Sequence, residues 1–396
     1  MKVLIWNTFE LKEVGGPAGY LWNLKAYFDQ NNITNIEFAD LIEFQNKKKK
    51  NYVNKIKQFI KKKINYSKYK IEELFIELNE ENNSNIELKI NDYDIIHFHT
   101  TKDLYKARFL LKNYSGKIVL TSHSPQLASQ EDIDKLIEKG IKIEKISKSE
   151  IDEYKKFDIE AFERADYIIF PCKEAMEPYL KEEKIRKILE NKNIKFLLTG
   201  IKDISIEEDT EYFYKKFKIP KNSVVISYVG RHNYIKGYDL AIEFAKKVLE
   251  KYNEIYFVIA GIESNKIKKL NHKNWIELGW SKEGKNIMRN SDIYLLPNRE
   301  TYFDLVFLEA LSLDTTILCS YTGGNKFFEK YNSKNILYFK KENINEMFEK
   351  FEFYLENIKK ININKKNRKI YEENFTLETF GNSYVKILEE IYEERI

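Results

Sequence analysis

The sequence predicts an α/β protein made of two domains, each built on a parallel β-sheet. Short apolar runs alternate with longer amphipathic stretches along the chain, and this alternation is typical of βαβ units. The 396 residues are too many for one ordinary core and suit two domains of about 200 residues each. The apolar pattern also restarts after a polar stretch, Asp203 to Asn222, that contains Pro220.

The apolar runs fall into two groups that predict two sheets. The first group is Val3–Trp6, Ile95–His99, Ile118–Ser122, Tyr167–Pro171 and Phe196–Leu198. The second group is Val224–Val229, Ile255–Ala260, Trp275–Leu278, Ile293–Leu296 and Ile317–Ser320. We therefore expect a first domain over residues 1–203, a linker over 204–221 and a second domain over 222–376. Two such sheets facing each other across a cleft would bind ligands at the carboxyl ends of their strands.

Composition and charge narrow the class of protein. Hydrophobic residues make up 43% and charged residues 33%, which is typical of a globular chain, and the net charge of +5 falls short of a dedicated nucleic-acid binder. The two cysteines, Cys172 and Cys319, lie in different predicted domains, so we expect no disulfide and a reducing compartment. The short apolar run before Asn7 predicts a buried strand rather than a signal peptide, and no segment is apolar for long enough to span a membrane. These observations favour a cytoplasmic protein.

One segment is strongly basic. Residues 47–63 contain nine lysines and no acidic residue, with apolar residues at helical spacing. Such a helix can lie on an anionic membrane surface. It can equally be a solvated helix that packs on the first domain through its apolar stripe, and the sequence leaves both interpretations open.

Two cations follow a predicted strand in the second domain. The segment Gly230 to Gly237 comes directly after Val224–Val229 and carries Arg231 and Lys236. Fixed cations at the carboxyl end of a strand suit a bound phosphate or diphosphate, because they stabilise its negative charge. The pattern therefore predicts a phosphate-binding loop.

A second polar segment follows the strand Ile293–Leu296. Pro297 and the polar run Asn298 to Thr301 precede a helix that we expect to open near Tyr302 and to carry Glu309 on an apolar face. The strand after it ends in a turn of residues 322–325 that includes Gly323 and Gly324. We expect these glycines to leave backbone N–H groups free for a diphosphate.

Both segments resemble signatures of retaining glycosyltransferases of family 4, which have the GT-B fold. Gly230 to Gly237 matches G-R-x-x-x-x-K-G. The second segment is similar to P-S-x-x-E-G-F-G-L-x-x-x-E-A, and the residues in register are Pro297, Phe303, Leu305, Glu309 and Ala310. Thr301 stands at the position of the first glutamate, with Glu300 one residue earlier, and Asp304 replaces a glycine. The resemblance implies two Rossmann-like domains, the first for the acceptor and the second for a nucleotide sugar, with residues 377–396 crossing back onto the first domain.

The resemblance also implies roles for individual residues. Arg231 and Lys236 would neutralise the donor diphosphate, Glu309 would bind the ribose hydroxyls, and Glu300 would contact the transferred sugar. Glu309 could alternatively be a charge stabilised near a helix N-terminus. Further donor-binding candidates are Gly230, Thr301, Asp304, Leu305, Gly323, Gly324 and Asn325. An acceptor-side loop is expected at Gly15, Gly16 and Pro17. The glycine spacing of that loop does not give the dinucleotide pattern G-x-G-x-x-G, although Asp40 could supply the acidic partner.

Three histidines lie near predicted strand ends. His123 follows Ile118–Ser122 and should point toward the cleft, where the resemblance implies a sugar contact. His97 and His99 lie on one face of their strand and could serve that role, satisfy the core or form a weak metal pair, for which no third ligand is evident.

No D-x-D motif lies at the carboxyl end of a predicted strand. The two occurrences, Asp92 to Asp94 and Asp132 to Asp134, precede a strand and lie in a helical run. We therefore expect no metal and no cofactor besides the nucleotide-sugar donor. The sequence leaves the base of the nucleotide open, and a UDP-sugar is the preferred donor. Trp280 would lie near the nucleotide base or, as the preferred interpretation, be a buried structural residue.

The predicted function is that of a retaining, metal-independent hexosyltransferase. It would move sugar from a nucleotide diphosphate to a hydroxyl of a glycan or lipid-linked saccharide in surface polysaccharide or glycoconjugate assembly, in the cytoplasm and on the inner membrane face if the basic segment binds lipid. Two alternatives stay open at this point. One is a GT-B protein that binds nucleotide or glycan without turnover, and the other is a GT-B epimerase or phosphorylase.

Overall fold

A computed structural model describes residues 1–13, 15–40, 90–138, 147–205, 210–262, 267–363 and 366–394. These residues form two six-stranded sheets, each paired throughout in parallel. The predicted fold class is confirmed. The basic segment of residues 47–63 lies outside the described residues, so its predicted helix and membrane contact stay predictions.

The first sheet has the order β2-β1-β3-β4-β5-β6 and the second β12-β11-β10-β7-β8-β9. The strands of the first are β1 (Val3–Asn7), β2 (Ile36–Asp40), β3 (Ile95–Phe98), β4 (Lys117–Leu120), β5 (Tyr167–Phe170) and β6 (Asn193–Phe196). Those of the second are β7 (Val224–Val229), β8 (Ile255–Ala260), β9 (Trp275–Glu277), β10 (Ile293–Leu296), β11 (Thr316–Ser320) and β12 (Ile336–Phe339). Every residue of β1, β3, β5, β10 and β11 is buried, as expected of parallel strands covered by helices on both faces.

Helices cover both sheets. In the first half of the chain they are α1 (Gly16–Gln30), α2 (Thr101–Ala107), α3 (Ala128–Glu138), α4 (Lys148–Arg164), α5 (Glu177–Leu180) and α6 (Glu183–Leu189). In the second half they are α7 (Thr210–Phe217), α8 (Tyr238–Lys251), α9 (Gly284–Arg289), α10 (Leu305–Ser312), α11 (Ile344–Ile363), α12 (Asn367–Asn374) and α13 (Leu377–Glu393), with a 3₁₀ helix over Gly323–Tyr331. None of the helices in this described part of the chain has the length and apolar character needed to span a bilayer.

The last helix, α13, packs against α1, a helix that covers the first sheet. The Tyr27 hydroxyl donates a hydrogen bond of 2.6 Å to Asn382 Oδ1. Gly381 permits the approach, because a Cβ at this position would lie 2.1 Å from the Tyr27 ring. The side chains of Phe380 and Tyr384 then share one apolar core with β1 and α1.

The sequence-based elements differ from the structure in a few places. The helix expected near Tyr302 begins at Leu305, because the backbone of Asp304 is still extended at the N-cap. The run predicted at Phe196–Leu198 overlaps β6 only at Phe196, the last residue of that strand, and β12 was not predicted. Cys172 and Cys319 are both buried and unpaired.

Candidate functional site

Two loops meet at the carboxyl ends of the neighbouring strands β7 and β10. Gly237 has a φ of +65°, and a Cβ there would lie 2.0 Å from the backbone oxygen of Pro297, so only glycine fits between the loops. The Arg299 backbone N–H donates a hydrogen bond of 2.8 Å to the carbonyl of Ile235. The cation-bearing segment and the polar segment therefore form one connected surface.

Arg299 fixes this surface, and the sequence analysis did not select it. Its guanidinium makes two parallel hydrogen bonds of 2.8 Å to the carboxylate of Asp239. The same group pairs with Glu342 and lies 3.6 Å from the ring centroid of Tyr234. Such a bidentate, stacked arginine is an effective clamp because its donors are pre-organised.

Lys236 lies where the two loops meet, but its charge is already compensated. Its Nζ lies 2.5 Å from Asp304 Oδ2, and both side chains are mostly buried. Asn298 Nδ2 donates to the same oxygen at 2.6 Å. Asp304 thus combines an N-cap position on α10 with an ion pair to the predicted phosphate-binding lysine.

Arg231 is the contrasting cation of this loop. Its side chain is exposed and makes no ion pair with another described residue, while its backbone oxygen accepts a hydrogen bond of 2.8 Å from the Tyr228 hydroxyl. Gly230 precedes it with no close contact at its Cβ position. The guanidinium is therefore available to an anion from solvent.

Glu309 lies on α10 with an unusual electrostatic environment. Burial raises the pKa of its carboxyl to about 7, with opposing contributions from Lys285, which lowers it, and Glu13, which raises it. The carboxyl makes no hydrogen bond with another described residue. Glu13 and Lys285 form an ion pair of 2.7 Å between the N-terminal loop and α9 beside it. A half-buried carboxyl without a hydrogen-bond partner among the described residues is suited to receive hydroxyl groups of a ligand.

The turn at Gly323 and Gly324 does not leave its N–H groups free, contrary to the sequence-based expectation. The Gly323 N–H donates to Glu177 Oε2 at 3.0 Å and the Gly324 N–H to the Thr301 carbonyl at 3.2 Å. The Asn325 N–H donates to the carbonyl of Thr322 at 3.1 Å. Close backbone packing explains the glycines, because Cβ atoms at 323 and 324 would lie 1.9 and 2.0 Å from the backbone oxygens of residues 301 and 302.

A first-domain carboxylate thus occupies the turn. Glu177 begins α5 and pairs with Lys326 as well as with the Gly323 N–H. A phosphate would also bind favourably at such a position, at the N-terminus of a helix and beside a lysine.

Glu300 and Thr301 are engaged inside the protein. Glu300 Oε1 accepts hydrogen bonds from Lys181 at 2.5 Å and from Lys341 at 2.8 Å, which joins the two domains. Thr301 is fully buried, and its Oγ1 accepts from Asn298 Nδ2 at 3.1 Å. Leu305 packs against the apolar core.

Tyr302 fills the space between the domains, a role that the sequence analysis missed. It stands at the first glycine after the motif's first glutamate, yet only 6% of it is exposed. Its ring contacts His123, Phe170 and Tyr179 of the first domain at centroid distances of 6.2, 6.3 and 6.4 Å. Comparison of this position with the motif would have signalled the difference.

The three histidines form a stacked group. His99 Nδ1 and His123 Nε2 lie 2.8 Å apart, and these two rings stack at a centroid distance of 5.1 Å. The ring of His97 lies 4.1 Å from that of His99 at a tilt of 35°. His97 also contacts the hydroxyls of Tyr384 at 2.8 Å and Thr121 at 2.9 Å. Burial lowers the pKa of His97 and His123 to about 3, so both are neutral at neutral pH.

Other predicted positions have simpler surroundings. Gly15 is the N-cap of α1, Gly16 is its first residue with a φ of +76°, and Pro17 follows in the first turn. A Cβ at either glycine would meet nothing within 4 Å. Trp280 is 65% exposed after β9, so its interpretation as a buried structural residue is wrong. Within the described ranges no group of three or more His, Cys, Asp or Glu residues could hold a metal ion.

Comparison with known proteins places these loops in a wider context. Residues 209–373 match the family model described as glycosyl transferases group 1. An O-antigen biosynthesis glycosyltransferase, WclY of Escherichia coli, is 24% identical over 212 residues, which is 51% of this chain. The chain spans 57% of the length of the curated relatives that it matches.

Solved structures match over nearly the whole chain. Sucrose-phosphate synthase from Thermosynechococcus elongatus has a TM-score of 0.67 at 12% identity, with 99% of both chains covered. Anabaena Alr3699/HepE in complex with UDP-glucose has a TM-score of 0.64 at 12% identity, covering 98% of this chain and 100% of that chain. The fold is GT-B. At such low identity the likeness concerns the fold alone.

Proposed function

We propose that the protein is a glycosyltransferase that moves a hexose-type sugar from a nucleotide diphosphate to a hydroxyl of a glycan or lipid-linked saccharide. The observation that carries the proposal is the position of Lys236, at the junction of two loops that follow parallel strands and beside the helix of Glu309. The group 1 family model covers both loops, and the WclY relative is named for O-antigen biosynthesis. A UDP-sugar is the favoured donor, since the similar HepE structure holds UDP-glucose.

The proposed reaction proceeds with retention of the anomeric configuration. The bond between the sugar anomeric carbon and the diphosphate oxygen breaks, and the acceptor oxygen forms a bond on the same face. The departing phosphate oxygen takes the acceptor proton. Arg231 and Lys236 would stabilise the negative charge that develops on the diphosphate, and the Glu309 carboxylate would accept hydrogen bonds from the ribose hydroxyls.

Hydrolysis of UDP-, GDP- and ADP-sugars, with and without EDTA, tests the proposal. We expect the protein to hydrolyse one of these donors, and we expect this hydrolysis to continue in the presence of EDTA. Its rate should fall at least about tenfold in Lys236→Ala or Glu309→Gln, which corresponds to about 1.4 kcal/mol of transition-state stabilisation. The exposed Lys246 and Glu349 provide matched controls, because they lie on other helices of the same domain. Equal losses in Lys246→Ala and Glu349→Gln would contradict a specific site.

A second candidate is a nucleotide- or glycan-binding protein without turnover. The specific observation in its favour is that Asp304 compensates Lys236 while Tyr302 fills the interdomain space. This candidate predicts calorimetric binding of UDP with no hydrolysis of any donor, even when saccharide acceptors are added. The same donor panel therefore separates the two functions.

The lipid-linked form of the acceptor depends on the basic segment of residues 47–63. Its nine lysines suit an anionic bilayer, where each cation near the surface contributes on the order of 1 kcal/mol. Cosedimentation with phosphatidylglycerol vesicles should decrease when Lys47 to Lys50 are replaced by glutamine. Equal cosedimentation with phosphatidylcholine vesicles would contradict an electrostatic contact.

A further inference from the structure

An open cleft of about 570 Å³ lies between the two domains beside β6 and the 3₁₀ helix. Its volume is within the range of small-ligand sites. The lining residues come from three segments: the chain after β5 (Pro171, Cys172, Lys173, Glu174), the end of β6 (Phe196, Leu198) and the 3₁₀ helix (Lys326, Phe327, Glu329, Lys330). Apart from Lys326, these residues take no part in the site described above.

The cleft presents an aromatic side chain that the core does not use. Phe196 is the last residue of the edge strand β6, and half of it is exposed. Phe327 lines the same cleft and is only partly buried. An exposed ring in a concave surface with polar groups around it suits the apolar face of a sugar ring.

Two lysines of the cleft have no ion-pair partner among the described residues. Lys173 and Lys330 make no ion pair with a described residue, whereas Lys326 pairs with Glu177 and Glu329 accepts a hydrogen bond of 2.6 Å from Tyr321. The lining as a whole contains three lysines and two glutamates. Glu174 and Glu329 balance Lys173 and Lys330 in number, but neither carboxylate forms an ion pair with them, so an anion in the cleft could pair with these two lysines directly.

Lys330 is held against the aromatic part of the same surface. Its Nζ lies 3.7 Å from the ring centroid of Phe327 and 5.0 Å from that of Tyr331. Burial lowers the pKa of the Lys330 ammonium, while Cys172 and Glu174 across the cleft act in the opposite direction. An anionic ligand would stabilise this ammonium in its charged form.

We propose that this cleft is the subsite for an anionic sugar residue of the acceptor, with Phe196 as the stacking surface and Lys173 and Lys330 as counter-ions. The inference rests on the proposed function only for the statement that the saccharide is an acceptor. The anion is a uronic carboxylate or a sugar phosphate, and both present the same chemistry to the two lysines. A neutral sugar would use Phe196 but leave the lysines without a partner.

Calorimetry with three probes tests the subsite: tetragalacturonate, the neutral maltotetraose and glucose 1-phosphate. We expect an anionic probe to bind at least about fivefold more tightly than maltotetraose, and Lys330→Met to remove most of that difference. Phe196→Ala should weaken the binding of both oligosaccharides, tetragalacturonate and maltotetraose. Phe353→Ala and Lys246→Met are matched controls, since Phe353 is 51% exposed against 50% for Phe196, and both controls lie on other helices.

The probes also identify the source of the anion. Tight binding of tetragalacturonate supports a uronic residue, and tight binding of glucose 1-phosphate alone supports a sugar phosphate. Binding that is unchanged in both Phe196→Ala and Lys330→Met, or no preference for either anionic probe, overturns the subsite. Donor hydrolysis measured on the same variants separates the two proposals. If the donor is hydrolysed but probe binding does not respond to the substitutions, the subsite alone is refuted. If probe binding responds but no donor is hydrolysed, the transferase alone is refuted.

Discussion

Lys236 and Asp304 form a mostly buried ion pair, with Nζ and Oδ2 2.5 Å apart, where two strand-end loops meet. Asn298 donates a further hydrogen bond to the same carboxylate oxygen. A diphosphate that binds Lys236 must therefore exchange places with Asp304 or accept its negative charge nearby. The related signature has glycine at this position, so the competition is a property of this chain.

Asp304→Asn should strengthen the binding of UDP. The substitution keeps an oxygen for Asn298 but removes the charge that competes for Lys236, and we expect an affinity gain of about three- to tenfold, on the order of 1 kcal/mol. Calorimetry measures it. The gain should disappear when Lys236→Ala is added, because the lysine through which Asp304 acts is then missing. Weaker UDP binding in Asp304→Asn would instead mean that Asp304 contacts the donor directly.

Glu309 should make donor affinity depend on pH. Burial raises the pKa of its carboxyl to about 7, so the side chain is protonated below that pH and accepts hydrogen bonds from hydroxyls fully only above it. Donor affinity should increase as the pH rises through about 7. The free energy of unfolding should instead decrease as the pH rises toward about 7, because the folded state still holds a proton that the unfolded chain has already released.

Glu309→Gln provides the control for both measurements. Glutamine keeps the shape of the side chain but does not titrate. Titration calorimetry between pH 6 and 8, about one unit on either side of the Glu309 pKa, should therefore give a donor affinity that does not change with pH in this variant. An unchanged pH profile in Glu309→Gln would assign the titration to another group.

The strands were predictable because parallel strands covered on both faces are continuous apolar runs. β7, β8 and β10 lie at their predicted bounds, and the glycine and lysine spacing identified the loop after β7. β12 was missed because Ile336–Phe339 is short and is followed by a lysine-rich stretch that hides its end. Runs of this length are ambiguous without their neighbours.

The partners of the site residues could not be predicted from spacing. Glu177 is 146 residues from Gly323, and Lys181 is 119 residues from Glu300, so only the packing of the two domains brings these charges together. The sequence could identify the turn at Gly323 as suited to an anion. It could not indicate that a carboxylate of the other domain would occupy it.

Substitution of individual glycines should distinguish turns that need them from a turn that does not. Gly323→Ala places a Cβ 1.9 Å from the Thr301 carbonyl in a residue with a φ of +46°, so we expect a loss of at least about 2 kcal/mol of stability. Gly15→Ala meets nothing within 4 Å and has a φ of −69°, and it should be neutral within about 0.5 kcal/mol. Thermal denaturation of both variants tests the difference, and equal melting temperatures would contradict the backbone packing at Gly323.

The histidine stack should make the protein sensitive to acid. Burial lowers the pKa of His97 and His123 to about 3, whereas unfolded histidines take up protons near pH 6.5. Below about 6.5 the unfolded chain therefore binds more protons than the folded one, and the free energy of unfolding should fall as the pH decreases toward 3. His97→Gln removes one of these groups while keeping polar atoms near Tyr384 and Thr121. In urea unfolding, the free energy of unfolding of this variant should fall less steeply with decreasing pH than that of the native protein. The difference should be up to about 1.4 kcal/mol per pH unit, the value for one proton. A slope equal to that of the native protein would show that His97 already binds its proton in the folded state.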